Sequence, residues 1–196
     1  MTMGNVTPAH VAYRTHRFKE MLAWYMRVFG ASVQYQDPAL AFLTYDDEHH
    51  RFALVDLDVI RPETAGKDDR GLVGVDHVAY SVNSLADLLE SYAELKDAGI
   101  LPYWCVNHGM SASLYYADPD GNQMEFTVDV FPTKAEGSAY FRGETIKGNP
   151  VGVEFDPEDW LARFRNGDRE SDILKFDAKG AVSPIRGELL VLRVEE

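Results

Sequence analysis

The tetrapeptide His-Val-Ala-Tyr occurs twice, at His10–Tyr13 and at His77–Tyr80, and each copy opens a segment of the same layout. In the first, Ala9–Tyr13 is a strand-like run. Phe18, Leu22, Tyr25, Met26 and Phe29 then recur at three- and four-residue steps, which predicts a helix over Phe18–Gly30 with Gly30 as its stop. Ala31–Gln36, Leu40–Tyr45 and His50–Val59 follow as strands, with a turn at Asp46-Asp47-Glu48. Arg61–Gly74, rich in charge and glycine, is the expected linker. In the second copy Val75–Val82 is a strand, and Ser84 with Asp87 forms a capping start. Leu85, Leu88, Leu89, Tyr92 and Leu95 give a helical stripe that ends at Gly99. Ile100–Val106, Ser111–Ala117 and Gln123–Val130 complete the strands, with the turn Asp118-Pro119-Asp120-Gly121 between the last two.

The pattern predicts an α+β fold of two tandem βαβββ modules, about 6–60 and 74–131 within residues 1–131. Residues 132–196 form a C-terminal helical extension. There Asp156 and Pro157 start a helix that runs to Arg165 and closes at Gly167, and Gly187–Val194 is a candidate strand. Oligomer contact and a lid are both open roles for this tail.

Duplicated units pair about a pseudo-twofold axis, which brings equivalent positions together. His10 and His77 can therefore face one another across a shared cavity. Glu125, a charged residue beside bulky apolar ones in the last strand, needs a cation or hydrogen-bond partner if that strand is buried. Two histidines and one carboxylate make the facial triad of non-haem Fe(II) oxygenases, which leaves open positions for substrate and O2.

Bulk composition narrows the partners. A net charge of −13 argues against nucleic acid, whose phosphates demand basic patches. No stretch approaches the roughly 18 apolar residues that span a bilayer, so no membrane partner is expected. The single cysteine, Cys105, lies in an apolar run and reads as a packed side chain in a reducing, cytoplasmic setting.

With these residues in place the chain resembles the type I extradiol ring-cleavage dioxygenases of the vicinal oxygen chelate superfamily, over about Val6 to Phe131. The resemblance implies a glyoxalase-like half-barrel in a short, one-domain form, with His10, His77 and Glu125 as metal ligands. The stretch His49-His50-Arg51-Phe52-Ala53-Leu54 is similar to the family's His-His segment and implies His50 as a pocket acid–base residue. Taken alone, two histidines after three acidic residues also suit a solvated turn. The segment from His108 to Tyr115-Tyr116-Ala117-Asp118 implies His108 as a second pocket histidine and Tyr116 as the residue that holds the deprotonated substrate hydroxyl. Neighbouring strand residues face opposite ways, so one of the two tyrosines is packing. The implied cofactor is Fe(II), with Mn(II) able to occupy the same donors. The implied partners are a small aromatic diol and O2, and a homo-oligomer is expected.

Rival readings share the fold. A glyoxalase-like isomerase needs a fourth, carboxylate ligand from the first module's last strand. By resemblance that position is Ala53, which cannot coordinate, yet Asp56 and Asp58 are close enough along the chain to leave the register open. A thiol transferase of the fosfomycin-modifying kind needs a cationic pocket, and the modules show no dense Lys/Arg cluster. A metal-free binding protein of the bleomycin-resistance kind would need no histidine at position 50.

Overall fold

The computed structural model describes residues 6–64, 74–117 and 123–186, and it builds one nine-stranded open sheet with helices packed on it. The expected turn at Asp118–Gly121, the linker between residues 65 and 73 and the candidate strand at Gly187–Val194 lie outside the described residues.

The first module runs β1 (Thr7–Thr15), α1 (Phe18–Phe29), β2 (Ser32–Gln36), β3 (Leu40–Thr44), β4 (Phe52–Asp56), followed by a short α2 (Leu57–Ile60). The second runs β5 (Gly74–Ser81), α3 (Leu85–Asp97), β6 (Trp104–Asn107), β7 (Ser111–Ala117) and β8 (Gln123–Asp129). The tail adds α4 (Lys134–Tyr140), α5 (Glu144–Gly148), β9 (Val153–Glu154), α6 (Pro157–Arg165) and α7 (Glu170–Ile173). Across the sheet the order is β2-β3-β4-β1-β5-β8-β7-β6-β9. Without β9, the two halves of that order mirror each other, module against module.

The join is the antiparallel pair β1–β5, where Val11 faces Val78 and Ala12 faces His77. The two Val residues are the same position of the repeat, so the pseudo-twofold axis passes between them. Within each module the first strand pairs in parallel with the last: Ala12 with Ala53, and Ala79 with Glu125.

Alternation along the strands gives the sheet two faces. On one, α1 packs Phe18, Met21, Leu22 and Tyr25 against Leu43, Phe52 and Leu54. On the same face α3, α6 and α7 bury Leu85, Leu88, Leu89, Trp160 and Ile173 against Ala112, Leu114, Tyr116 and Val128. Gly30 stops α1 at φ 64°, a left-handed conformation that any side chain would strain. Ser84 Oγ accepts from the Asp87 N–H and caps α3 as the sequence indicates. Cys105 packs against this helical core, and burial pushes its thiol up to about 12. Among the described residues no helix is long and apolar enough to cross a membrane.

Two strand limits differ from the expectation by three residues or more. The last strand of module one ends at Asp56 rather than Val59, because the Asp56 carboxylate accepts from Asp58 N–H and turns the chain into α2. The strand expected from Ile100 begins at Trp104. Ile100 N–H bonds back to Leu95 O and completes the helix stop, and Pro102 has no N–H to offer a ladder.

Candidate metal centre and its cavity

On the other face of the sheet, alternate residues converge on one cavity: His10 and Ala12 from β1, Ala53 from β4, His77 from β5, Tyr115 from β7 and Glu125 from β8. Its rim draws on the tail through Val151, Ile185 and Arg186. At its floor lies a triangle. His10 Nε2 is 3.1 Å from His77 Nε2, and each nitrogen is 3.0 Å from Glu125 Oε2.

Three donor atoms about 3 Å apart suit a first-row divalent ion held about 2.1 Å from each at right angles, which is one face of an octahedron. Tetrahedral angles at the same bond length would hold them farther apart. The polar bookkeeping agrees: among the described residues Glu125 Oε2 is buried without a hydrogen bond, although two imidazoles face it. The donors therefore fit a metal ion.

Neighbours orient these donors. Glu125 Oε1 accepts from Ser113 Oγ–H at 2.6 Å, which turns the other oxygen toward the imidazoles. Asp76 Oδ1 accepts from His77 Nδ1–H at 2.8 Å, and Arg14 pairs with the second Asp76 oxygen at 3.2 Å. His77 is thereby fixed with Nε2 free for a ligand bond, as metal-binding histidines require. His10 Nδ1 has no such partner among the described residues. Burial presses both imidazoles toward the neutral form. It prevails at His10, whereas Asp76 and Glu125 outweigh it at His77 and lift that group to about 9. Burial also opposes charge on Glu125, but the two imidazoles overcome it and hold the carboxyl well below its usual range.

The register answers the question left open at the first module. Ala12 is to His10 what Ala79 is to His77, so Ala53 stands at the twofold equivalent of Glu125. Asp56 caps α2, and Asp58 is an exposed partner of His16 at 2.7 Å. Neither belongs to the donor cluster.

His50 and His108 both line the cavity. His50 is buried despite the acidic residues before it, its ring 4.1 Å from that of His10 and edge-on to Phe42 and Phe141. Burial, and then the neighbouring imidazoles of His10 and His49, drive it well below the usual imidazole range and favour the neutral form. His108 Nδ1–H donates to Val151 O, which leaves Nε2 to accept from Tyr115 Oη–H at 3.1 Å.

Tyr116 is not in the cavity. It lies on the opposite face, packed in the helical core with its hydroxyl buried and unpartnered among the described residues. Tyr115 takes the cavity position, opposite Glu125 in the β7–β8 ladder. The signal was available: pairing the strand ends Ala117 and Gln123 and counting back sets Tyr115 against Glu125, and opposed residues share a face. Ser113, Asp76, Arg14 and Trp104 also belong to the site without having stood out in the sequence. Asp76 had one hint, its place directly before a candidate ligand.

The family described as the Glyoxalase/Bleomycin resistance protein/Dioxygenase superfamily matches residues 7–126. The chain is similar to "Biphenyl-2,3-diol 1,2-dioxygenase 2" of Rhodococcus globerulus, 45% identical over 149 residues that cover 76% of each protein. It is also similar to "Biphenyl-2,3-diol 1,2-dioxygenase 3" of the same organism, 40% identical over 86% of this chain and 88% of the other. Among solved structures, the 2,3-dioxygenase LapB of Pseudomonas sp. KL28 shares the fold, with a TM-score of 0.52 and 18% identity over 65% of this chain and 42% of that one.

Proposed function

The chain belongs to the Glyoxalase/Bleomycin resistance protein/Dioxygenase superfamily, and from that membership we propose that it is an extradiol ring-cleavage dioxygenase acting on catechols of the biphenyl-2,3-diol type. The observation that carries this reading is the three-donor triangle with Ala53 in the fourth position. Three protein donors leave room for both vicinal oxygens of a catechol and for O2, whereas a four-donor site would not.

His10, His77 and Glu125 would hold Fe(II), the ion this donor set suits. When bound, it supplies Lewis acidity toward the catechol hydroxyls and an electron path between the ring and O2. The protein's own groups position the ring and move protons. His50, neutral in the cavity wall, accepts a proton from a catechol hydroxyl and later returns it. Tyr115 gives its one proton to His108, so its oxygen lone pairs are left to accept from a substrate hydroxyl. His108, anchored on Val151, fixes that orientation. Phe42, Trp104 and Val151 provide flat apolar walls for the ring. The absence of disulfide chemistry and the donor set's need for a reduced metal both suit the cytoplasm as the place of action.

The test is reconstitution with Fe(II) under anaerobic conditions, then admission of air with biphenyl-2,3-diol and a panel of monocyclic catechols. Appearance of a yellow ring-opened product with one equivalent of iron is expected. Bound iron with no colour from any catechol would refute the proposal.

A further inference from the structure

Behind His50, away from the metal trio, lies a second cluster of titratable groups. His49 stacks on His50 with ring centroids 4.7 Å apart, and the two Nδ1 atoms are 2.7 Å from each other. On its far side His49 Nε2 is 3.2 Å from Asp129 Oδ1. Lys134 Nζ then bridges Asp129 Oδ2 at 2.7 Å and both oxygens of Glu48, at 2.8 and 2.9 Å. Glu48, His49 and Asp129 could by distance alone hold a metal, but the Lys134 ammonium already occupies that role. All of this is built where the first module's turn, the end of β8 and the tail helix α4 meet. Gly137 of α4 packs against His49, where a Cβ would lie at ordinary contact distance, 3.6 Å.

The donor and acceptor roles along this line are linked, so fixing one end fixes the rest. An ionised carboxylate only accepts, so His49 donates Nε2–H to Asp129. Lys134 reaches both acids, while Arg51, 4.0 Å from Glu48, is held by Asp46 at 3.0 Å. With His49 in its neutral form, Nδ1 is bare and the proton in the 2.7 Å contact belongs to His50 Nδ1. His50 must then leave Nε2 unprotonated, and among the described residues that atom has no hydrogen-bond partner. We infer that Asp129 and His49 are positioning residues that set the tautomer of His50, holding it with Nδ1–H inward and a bare Nε2 for the cavity. This rests on the acid–base role given to His50 above. A base that must take a proton from a substrate hydroxyl needs that lone pair in place before substrate arrives. The proton leaves the hydroxyl for Nε2, its electron pair stays on oxygen, and the resulting imidazolium keeps its Nδ1–H bond to His49.

The experiment reads the tautomer directly, by 15N NMR of the histidine rings in the full chain loaded with Zn(II) as a diamagnetic probe. His50 is expected to show a protonated-type Nδ1 and an unprotonated-type Nε2. In Asp129→Asn the new amide can donate to His49 Nε2, which reverses the chain and moves the His50 proton to Nε2. With Fe(II), the same variant should keep its iron and its KM while kcat falls on the order of 10²-fold, as when Asn replaces the Asp behind a catalytic histidine and puts the proton on the wrong nitrogen. A protonated Nε2 on His50 in the unsubstituted chain would overturn the inference, whether or not the variant folds. So would an Asp129→Asn protein with unchanged His50 signals. Full turnover by His50→Ala would instead sink the acid–base role of His50, while the NMR still decides whether Asp129 and His49 fix its tautomer.

Discussion

Ala53→Glu tests the claim that one missing carboxylate determines the chemistry. Ala53 is buried, lines the cavity and stands in the same ladder relation to β1 as Glu125 does to β5. A glutamate there reaches the triangle from the opposite side of the pseudo-twofold axis. In the metal-free protein it adds a second buried carboxylate to a site that already has one. An uncompensated buried charge costs several kcal/mol, about 3 as a working figure. At about 2–4 °C per kcal/mol for a chain of this size, Tm of the apo protein falls by about 6–12 °C. Divalent metal should restore most of that loss, because the new carboxylate becomes a ligand, and metal affinity should rise by about tenfold or more. Turnover of a catechol should fall by about 100-fold, equivalent to about 2.7 kcal/mol, since one open position is filled. Differential scanning fluorimetry with and without metal, a metal titration and an oxygen-uptake assay read the three effects. A variant whose Tm, metal affinity and turnover all match the parent would show that Ala53 does not face the ion, and the register argument would fail.

Tyr115→Phe should lower turnover by about tenfold or more, because the hydroxyl between His108 and the cavity is lost. Tyr116→Phe should leave turnover and stability close to the parent, because it removes a buried hydroxyl without a partner; steady-state kinetics on the pair separates the two tyrosines. Asp76→Asn should weaken metal binding by about 10–100-fold, measured by chelator competition, since His77 loses its charged acceptor. Acid should destabilise the Asp129–Lys134 cluster. Burial alone would raise the Asp129 carboxyl, but His49 and Lys134 outweigh it and hold it below the usual value. That stability is present above the unfolded carboxylate range near pH 4 and is lost as pH falls through the lower folded value. The parent's unfolding free energy in urea should therefore drop more steeply below about pH 4 than that of Asp129→Asn, and parallel curves would rule this out.

The modules were legible because their signals are local. The apolar stripes that built α1 and α3 lie within single helices, and Gly30 and Ser84 act on adjacent residues. The closeness of His10, His77 and Glu125 was legible for a different reason: duplication turns a sequence repeat into a spatial coincidence, so His10 and His77 could be expected to face one another. What escaped is non-local or short. α4, α5, α7 and β9 run for seven residues or fewer, too few to announce themselves by period, and they persist through contacts such as Asn107 Nδ2–H to Leu174 O. The choice between Tyr115 and Tyr116 depended on ladder register, which a helix-or-strand pattern does not carry. His49 and His50 look solvated beside Asp46, Asp47 and Glu48, yet Lys134, far along the chain, neutralises Glu48 and lets the pair sink into the core.

Symmetry and its violations divide the labour of this site. The twofold axis between Val11 and Val78 delivers two equivalent imidazoles and nothing more. Every further chemical property comes from a place where the repeat is broken. Glu125 answers Ala53 across the axis, which would leave positions open on a metal held there. Asp76 and Arg14 steady His77, while His10 Nδ1 has no matching partner among the described residues and its ring leans on His50. The tail, which has no counterpart in the repeat, then braces both pocket histidines: Val151 anchors His108, and Lys134 anchors the Asp129–His49 line behind His50. A chain cut after β8 would keep the three metal donors but lose the groups that hold both pocket histidines in register.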